Sequence, residues 1–222
     1  MDMSRLTTDR ADDPVNAPLP RNLDLAELLR QRRSVRHLRS DPIPRDAIRA
    51  VLEAGRWAPS PHGTQPWRFA VLQSRELREH LADAMADAWQ HNLSLDGQDP
   101  EIVSRRLAGS RRRMLEAPAL ILVSLVTDDL DRYPDEDRQA SETTMAIQSL
   151  GACVQNMLLT AYQLGLDAGW MCAPLFCPEV VRDALSLPKS HVPHALIPIG
   201  YIAAEPKRRE RRSLDELISL WE

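Results

Sequence analysis

The chain has 222 residues with 28 basic and 32 acidic side chains, a net charge of −4 and a pI near 5.9, a balance that argues against non-specific nucleic-acid binding. A chain of this length buries roughly 70–75% of its unfolded surface, so one domain folds without a metal or disulfide. No apolar run reaches membrane length, there is no signal-peptide h-region, and Cys153, Cys172 and Cys177 form no C-x-x-C; reduced thiols in a cytoplasmic protein are expected, with no metal.

Residues 1–22 are polar with Pro14, Pro18 and Pro20 and read as a flexible arm ahead of a single domain, 23–222. Asn22 or Asp24 can cap a first helix through Leu25, Leu28 and Leu29. It runs into the basic patch Arg32-Arg33-Ser34-Val35-Arg36. Adjacent guanidiniums with a hydroxyl suit an anion, although a solvated helix end reads the same way. Pro44 opens a second helix with Ile48, Val51, Leu52 and Trp57 as its apolar face. In Ala58–Pro66 (APSPHGTQP), three prolines and a glycine exclude regular structure. Such a loop leaves backbone groups free for a ligand, and His62, Thr64 and Gln65 add side-chain donors. His62 has no histidine or carboxylate at metal-ligand spacing.

Trp67–Gln73 reads as a strand and Glu76–Gln90 as a helix, followed by a loop over His91–Gln98. Asp99-Pro100-Glu101 is a helix start, and the arginines from Arg105 to Arg113 read as a solvated face. Pro118–Val126 has the pattern of a buried strand, and Thr127–Arg138 that of an acidic loop. The longest helical signal runs from Ser141 as cap to Gly165. There Ile147, Leu150, Val154, Met157, Leu158 and Ala161 form a stripe, and further apolar residues widen it. Such a helix needs cover on most sides, from its own core or from a second subunit. Ala168–Cys172 reads as a short strand, Pro178 onward as a helix, Pro193–Ala203 as the last strand, and Ser213–Trp221 as an amphipathic helix after the basic run Lys207–Arg212. No G-x-G-x-x-G, Walker loop, H-E-x-x-H or G-x-S-x-G occurs.

Five stretches in register, RRSVR, APSPHGTQPWRF, the long helix ending in LGLDAGWMC, VPHALIPIGY and the basic tail, resemble the nitroreductase-like flavoproteins. Within them the chain is most similar to the FMN-binding C-terminal domain of the coenzyme F-420 gamma-glutamyl ligase, through P-x-P-H-x-T-x-P at Pro59–Pro66 and the stretches DAWQHNLSLDGQDPEIVSRR and RYPDEDR. The resemblance implies an α+β fold, a mostly antiparallel central sheet flanked by helices, in an intertwined homodimer whose C-terminal extension reaches the partner subunit. It implies FMN as cofactor and NAD(P)H as electron donor. Arg32, Arg33, Ser34 and Arg36 would hold the phosphate and the O2/N1 side of the flavin, with Arg209 and Arg211 gripping the phosphate from the tail. The backbone at Met171, Cys172 and Ala173 would face the ring. Pro61, His62, Gly63 and Thr64 would complete the site, with His62 or Thr64 replacing the asparagine that many nitroreductases carry where this chain has Gly63. The implied activity is hydride transfer from NAD(P)H through FMN to a nitroaromatic, quinone-like or flavin-like acceptor, with no side-chain nucleophile. A deazaflavin-precursor reductase and a non-catalytic flavin or deazaflavin carrier are the alternatives. Ligase activity is not expected. The long helix would pack on its copy across a two-fold axis, with Gln148, Ser149 and Asn156 pairing across the seam.

Overall fold

The computed structural model describes residues 19–222. Residues 1–18 of the expected arm (1–22) lie outside the described residues. Within the remainder of that range, Arg21 is fixed on the end of the long helix. Its guanidinium donates to Tyr162 O (2.6 Å) and Leu166 O (3.0 Å) and pairs with Asp167 at 3.0 Å.

Helices α1 (Leu25–Gln31), α2 (Arg45–Arg56), α3 (Arg75–Leu95), α4 (Pro100–Glu116), α5 (Glu136–Gln163) and α6 (Pro178–Ala184) surround strands β1 (Leu38–Arg39), β2 (Trp67–Leu72), β3 (Ala119–Val126), β4 (Asp167–Ala168) and β5 (His191–Ile202). The sheet order is β1-β5-β3-β2, β4 also pairs with β5, and all these pairings are antiparallel. This is the nitroreductase-like α+β architecture that the resemblance implies.

All eight residues of β3 are buried, because helices cover both faces of the sheet. Alternation of side chains decides which face each residue serves. Ala119, Ile121, Val123 and Leu125 point toward α2 and α5, with Ile48, Val51, Val154 and Met157. Leu120 and Leu122 point the other way, with Leu81, Met85, Met114 and Val181 of α3, α4 and α6. In β5, Pro193 faces Ser124 and Ala195 faces Val123, so His194 is the extra residue of a bulge.

Several sequence boundaries move for physical reasons. Helix α5 starts at Asp135, not Ser141: the Asp135 carboxylate accepts from Arg138 N and two acids follow in the first turn. The Ser141 hydroxyl instead donates back to Asp137 O. Helix α3 continues through the expected loop to Leu95, where Leu93 is buried, and the chain turns at Gly97 (φ 65°). Trp57 is 73% exposed at the end of α2 and is not part of its apolar face. Ser213–Trp221 forms a single 3-10 turn, Asp215–Leu217, in place of a helix. So short a segment has no helical stability without a surface to pack on, and its Leu214, Leu217, Leu220 and Trp221 are exposed.

Along α5, the stripe residues Leu150, Val154, Met157, Leu158 and Ala161 are buried inside the chain, while Ile147 (41% exposed) and Met145 face outward. Two of the polar side chains expected to pair across a dimer seam are engaged within the chain: Asn156 donates to Ala54 O at 3.3 Å, and the Ser149 hydroxyl donates to Met145 O.

Candidate functional site

The segment after α1 is fixed by backbone contact with β4. Val35 N donates to Ala168 O at 3.0 Å, and Ser34 bridges Ala168 in parallel. The approach requires Gly169: a Cβ there would lie 2.7 Å from Val35 O. The basic patch is therefore clamped beside the residues that lead to Met171–Ala173.

Arg32 is the unusual member of that patch. Its Nε and Nη1 are buried without any hydrogen-bond partner. Burial first, then the positive charges of Arg211 and Arg33, pushes its guanidinium below the usual range. Arg211 of the tail thus lies close enough to Arg32 to act on its charge. Arg33 donates at 2.7 Å to Arg32 O and also to Arg30 O, Ser34 and Arg36 are exposed, and Arg209 is exposed on the same tail. A second cation pair was missed in the sequence. Arg113 is half-buried, and burial followed by the charges of Arg36 and Arg112 holds it below its ordinary value. The expected solvated face of α4 holds for Arg105, Arg106, Arg111 and Arg112, not for Arg113. The only signal was its helical phase beside the buried Met114.

Arg78 was also missed. It is buried and donates to Met114 O, Leu115 O and Ala117 O, so it caps the carbonyl end of α4. That anchors the turn after Arg113.

Met171 spends both backbone groups on Leu196, at 2.9 Å each. The amides of Cys172 and Ala173 donate to no acceptor among the described residues, and they border a cavity of about 370 Å³. Its walls are apolar, from Met85, Trp89, Leu107, Met114 and Phe176, with Asn92, Ser110 and Arg111 as the polar groups. Arg111 is held by Asp83 at 2.7 Å.

The Ala58–Pro66 loop lies on the other face of the sheet. Ala58 and Trp67 pack with α2 and α5, whereas Val35, Leu38, Met171 and Ala173 pack with α3, α4 and α6. Among the described residues, no hydrogen bond or ion pair joins Pro61–Thr64 to Arg32–Arg36 or to Met171–Ala173. The loop is also less open than its composition suggests. Gly63 N donates to Ser60 O, Thr64 N and Oγ1 both donate to Pro61 O, and Gln65 N donates to Ser60 Oγ. The Thr64 hydroxyl is thereby turned inward. Pro61–Gly63 forms a 3-10 turn, with left-handed φ at His62 (53°), Gly63 (70°) and Gln65 (48°). Glycine and asparagine tolerate that conformation best. His62 reaches Asp131 at 3.9 Å.

The sequence pattern of the Nitroreductase family matches residues 29–201. The chain belongs to the nitroreductase family. YfhC of Bacillus subtilis (strain 168), described as an NAD(P)H nitroreductase, is 25% identical over 187 residues, covering 84% of this chain and 89% of its own. The NADH dehydrogenase of Thermus thermophilus is 30% identical over 220 residues, covering 90% and 96% of the two chains. A nitroreductase of Desulfovibrio desulfuricans, solved in complex with FMN, superposes with a TM-score of 0.67 at 28% identity, over 89% of this chain and 96% of its own. The structure places the Arg32–Arg36 segment beside the 168–173 turn, the tail's Arg211 close enough to Arg32 to act on its charge, and Cys172 and Ala173 on the wall of the cavity. Among the described residues no helix is long and apolar enough to cross a membrane.

Proposed function

We propose that this chain is an FMN-dependent oxidoreductase that takes hydride from NAD(P)H and delivers it to a small oxidised acceptor. The observation that carries the reading is the pair of buried, unpartnered Arg32 nitrogens beside Arg33 and Arg211. A desolvated guanidinium among other cations costs several kcal/mol unless an anion meets it, and the phosphate of FMN is an anion of the right geometry for a guanidinium fork. The residues present fit that group.

FMN supplies the two-electron chemistry when bound. Arg32, Arg33 and Arg211 would hold its phosphate. Arg36 and Arg113 place positive charge at the same edge, which favours the form of a bound ligand that carries extra negative charge, and more so where water is excluded. The free amides of Cys172 and Ala173 can hydrogen-bond a polar ring edge. The apolar cavity beside them suits a flat acceptor and keeps water out.

The Pro61–Thr64 loop belongs to this reading only through a second copy of the chain, because its own copy holds it on the opposite face of the sheet. The outward-facing Met145 and Ile147 of α5 and the exposed Leu214, Leu217, Leu220 and Trp221 of the tail support an intertwined homodimer in which the tail lies on the partner. Cytoplasmic operation follows from the same reading.

Arg36→Ala is the direct test. FMN affinity or the rate of flavin reduction by NADH or NADPH falls; if both stay within about twofold of wild type, the assignment of Arg36 fails. The narrower deazaflavin reading is favoured by the P-x-P-H-x-T-x-P loop and is decided by whether the reduced protein turns over a dehydro deazaflavin. Bound flavin that neither NADH nor NADPH bleaches would favour a carrier.

A further inference from the structure

We propose that His62, Asp131 and Glu142 form a binding site for one divalent cation of the Zn²⁺ type. Distant parts of the sequence supply the three side chains: the 3-10 turn after α2, the acidic loop before α5, and the second turn of α5. One ligand atom from each lies within 4.8 Å of the others.

Glu142 makes this more than a surface cluster. Only 2% of its surface is exposed, and its Oε2 has no hydrogen-bond partner among the described residues. A buried carboxylate without a donor is costly, and a cation removes that cost. Asp131 is the carboxylate left available for it. In the same acidic loop Asp128, Asp129 and Asp135 are paired with Arg132, Arg68 and Arg138, whereas Asp131 faces His62 alone, at 3.9 Å. One neutral imidazole and two carboxylates balance a 2+ charge. One nitrogen and two oxygens suit zinc, with water at the fourth position.

The geometry needs a side-chain adjustment rather than a backbone one. Metal–ligand bonds of roughly 2.0–2.1 Å place tetrahedral ligand atoms about 3.3 Å apart. From 3.9 Å between them, His62 and Asp131 close on each other by about 0.6 Å. From separations within 4.8 Å, these two exposed side chains close onto the buried Glu142 by at most about 1.5 Å. The site lies on the α2–α5 face, away from the arginine cradle of its own chain, and its test does not depend on bound flavin.

The experiment is a Zn²⁺ titration of the full-length protein after chelator treatment, by calorimetry and by competition with a chromophoric chelator. Wild type is compared with Glu142→Gln, Asp131→Asn and the triple variant that adds His62→Gln. One Zn²⁺ per chain is expected, with each single substitution weakening it at least tenfold and the triple variant abolishing it. Absence of a one-to-one site in wild type, or affinity within threefold of wild type in Asp131→Asn, overturns the proposal. Asp131 is exposed, so its substitution keeps the test valid even if Glu142→Gln fails to fold, which circular dichroism reports.

Discussion

Arg32→Met separates a structural arginine from one built for an anion, because the two roles predict opposite signs. In the protein without ligand, Arg32 is a liability: its Nε and Nη1 are buried and unpaired, and Arg33 and Arg211 repel it. Methionine keeps most of the stem packing and removes the desolvated charge. The ligand-free variant should therefore melt at the same temperature as wild type or above it. With FMN the sign reverses. Two charge-assisted hydrogen bonds from Nε and Nη1 are lost, each contributing about 1.5–3 kcal/mol. Taking the low end gives about 3 kcal/mol, or roughly 100-fold weaker binding. Flavin fluorescence titration reads the affinity and differential scanning fluorimetry the ligand-free stability. A variant that is markedly less stable without ligand, yet binds FMN within threefold of wild type, would show that Arg32 is a structural residue and refute the reasoning.

Gly169→Ala forces a methyl to within 2.7 Å of Val35 O, so β4 and the Arg32–Arg36 segment must separate; a loss of about 1–3 kcal/mol with weakened FMN binding is expected in chemical denaturation and flavin titration, and unchanged values would mean that the close approach does not position the patch. Ile147→Asp changes a 41% exposed residue, so the fold should persist by circular dichroism while light scattering shows monomers; a dimer that survives would remove α5 from the interface. Leu150→Asp is unsuitable for that purpose, since Leu150 is buried within its own chain. Burial holds the His194 imidazole below its ordinary value. The unfolded chain therefore binds more protons between that lowered value and about pH 6.5, and His194 contributes stability above this window that is lost as pH falls through it. His194→Gln should flatten that part of the stability–pH curve relative to wild type, and identical slopes would exclude His194 as the source.

The sequence is most informative where local rules and tertiary packing agree. Trp67–Leu72, Asp99-Pro100-Glu101, the mostly apolar, fully buried β3 and the glycine after α5 were all legible, because period, capping and breaker signals operate within a few residues. The start of α5 was legible in principle, since Pro134-Asp135-Glu136-Asp137 is a cap followed by acids; the serine at 141 was a weaker signal. The tail helix failed because its apolar stripe has no surface of its own chain to cover. In the site, the arginine patch reads from its residues as an anion site, although a solvated helix end reads the same way; its link to Arg211 came only through resemblance, as no spacing rule links residues 32 and 211. Arg113, Arg78 and the approach of Glu142 to His62 come from helix packing and long-range chain return, which a one-dimensional pattern does not encode. The Thr64 hydroxyl is less free than the loop's composition suggests, because the loop's polar groups satisfy one another.

The central claim is that the cradle holds FMN in a form that accepts electrons from a nicotinamide. The most direct measurement is the visible spectrum of the purified protein, reconstituted with FMN where needed, followed anaerobically as NADH and then NADPH are added. A yellow protein with one FMN per chain, bleached by at least one of the two donors, is the predicted result. A colourless protein that cannot be loaded with FMN would contradict it.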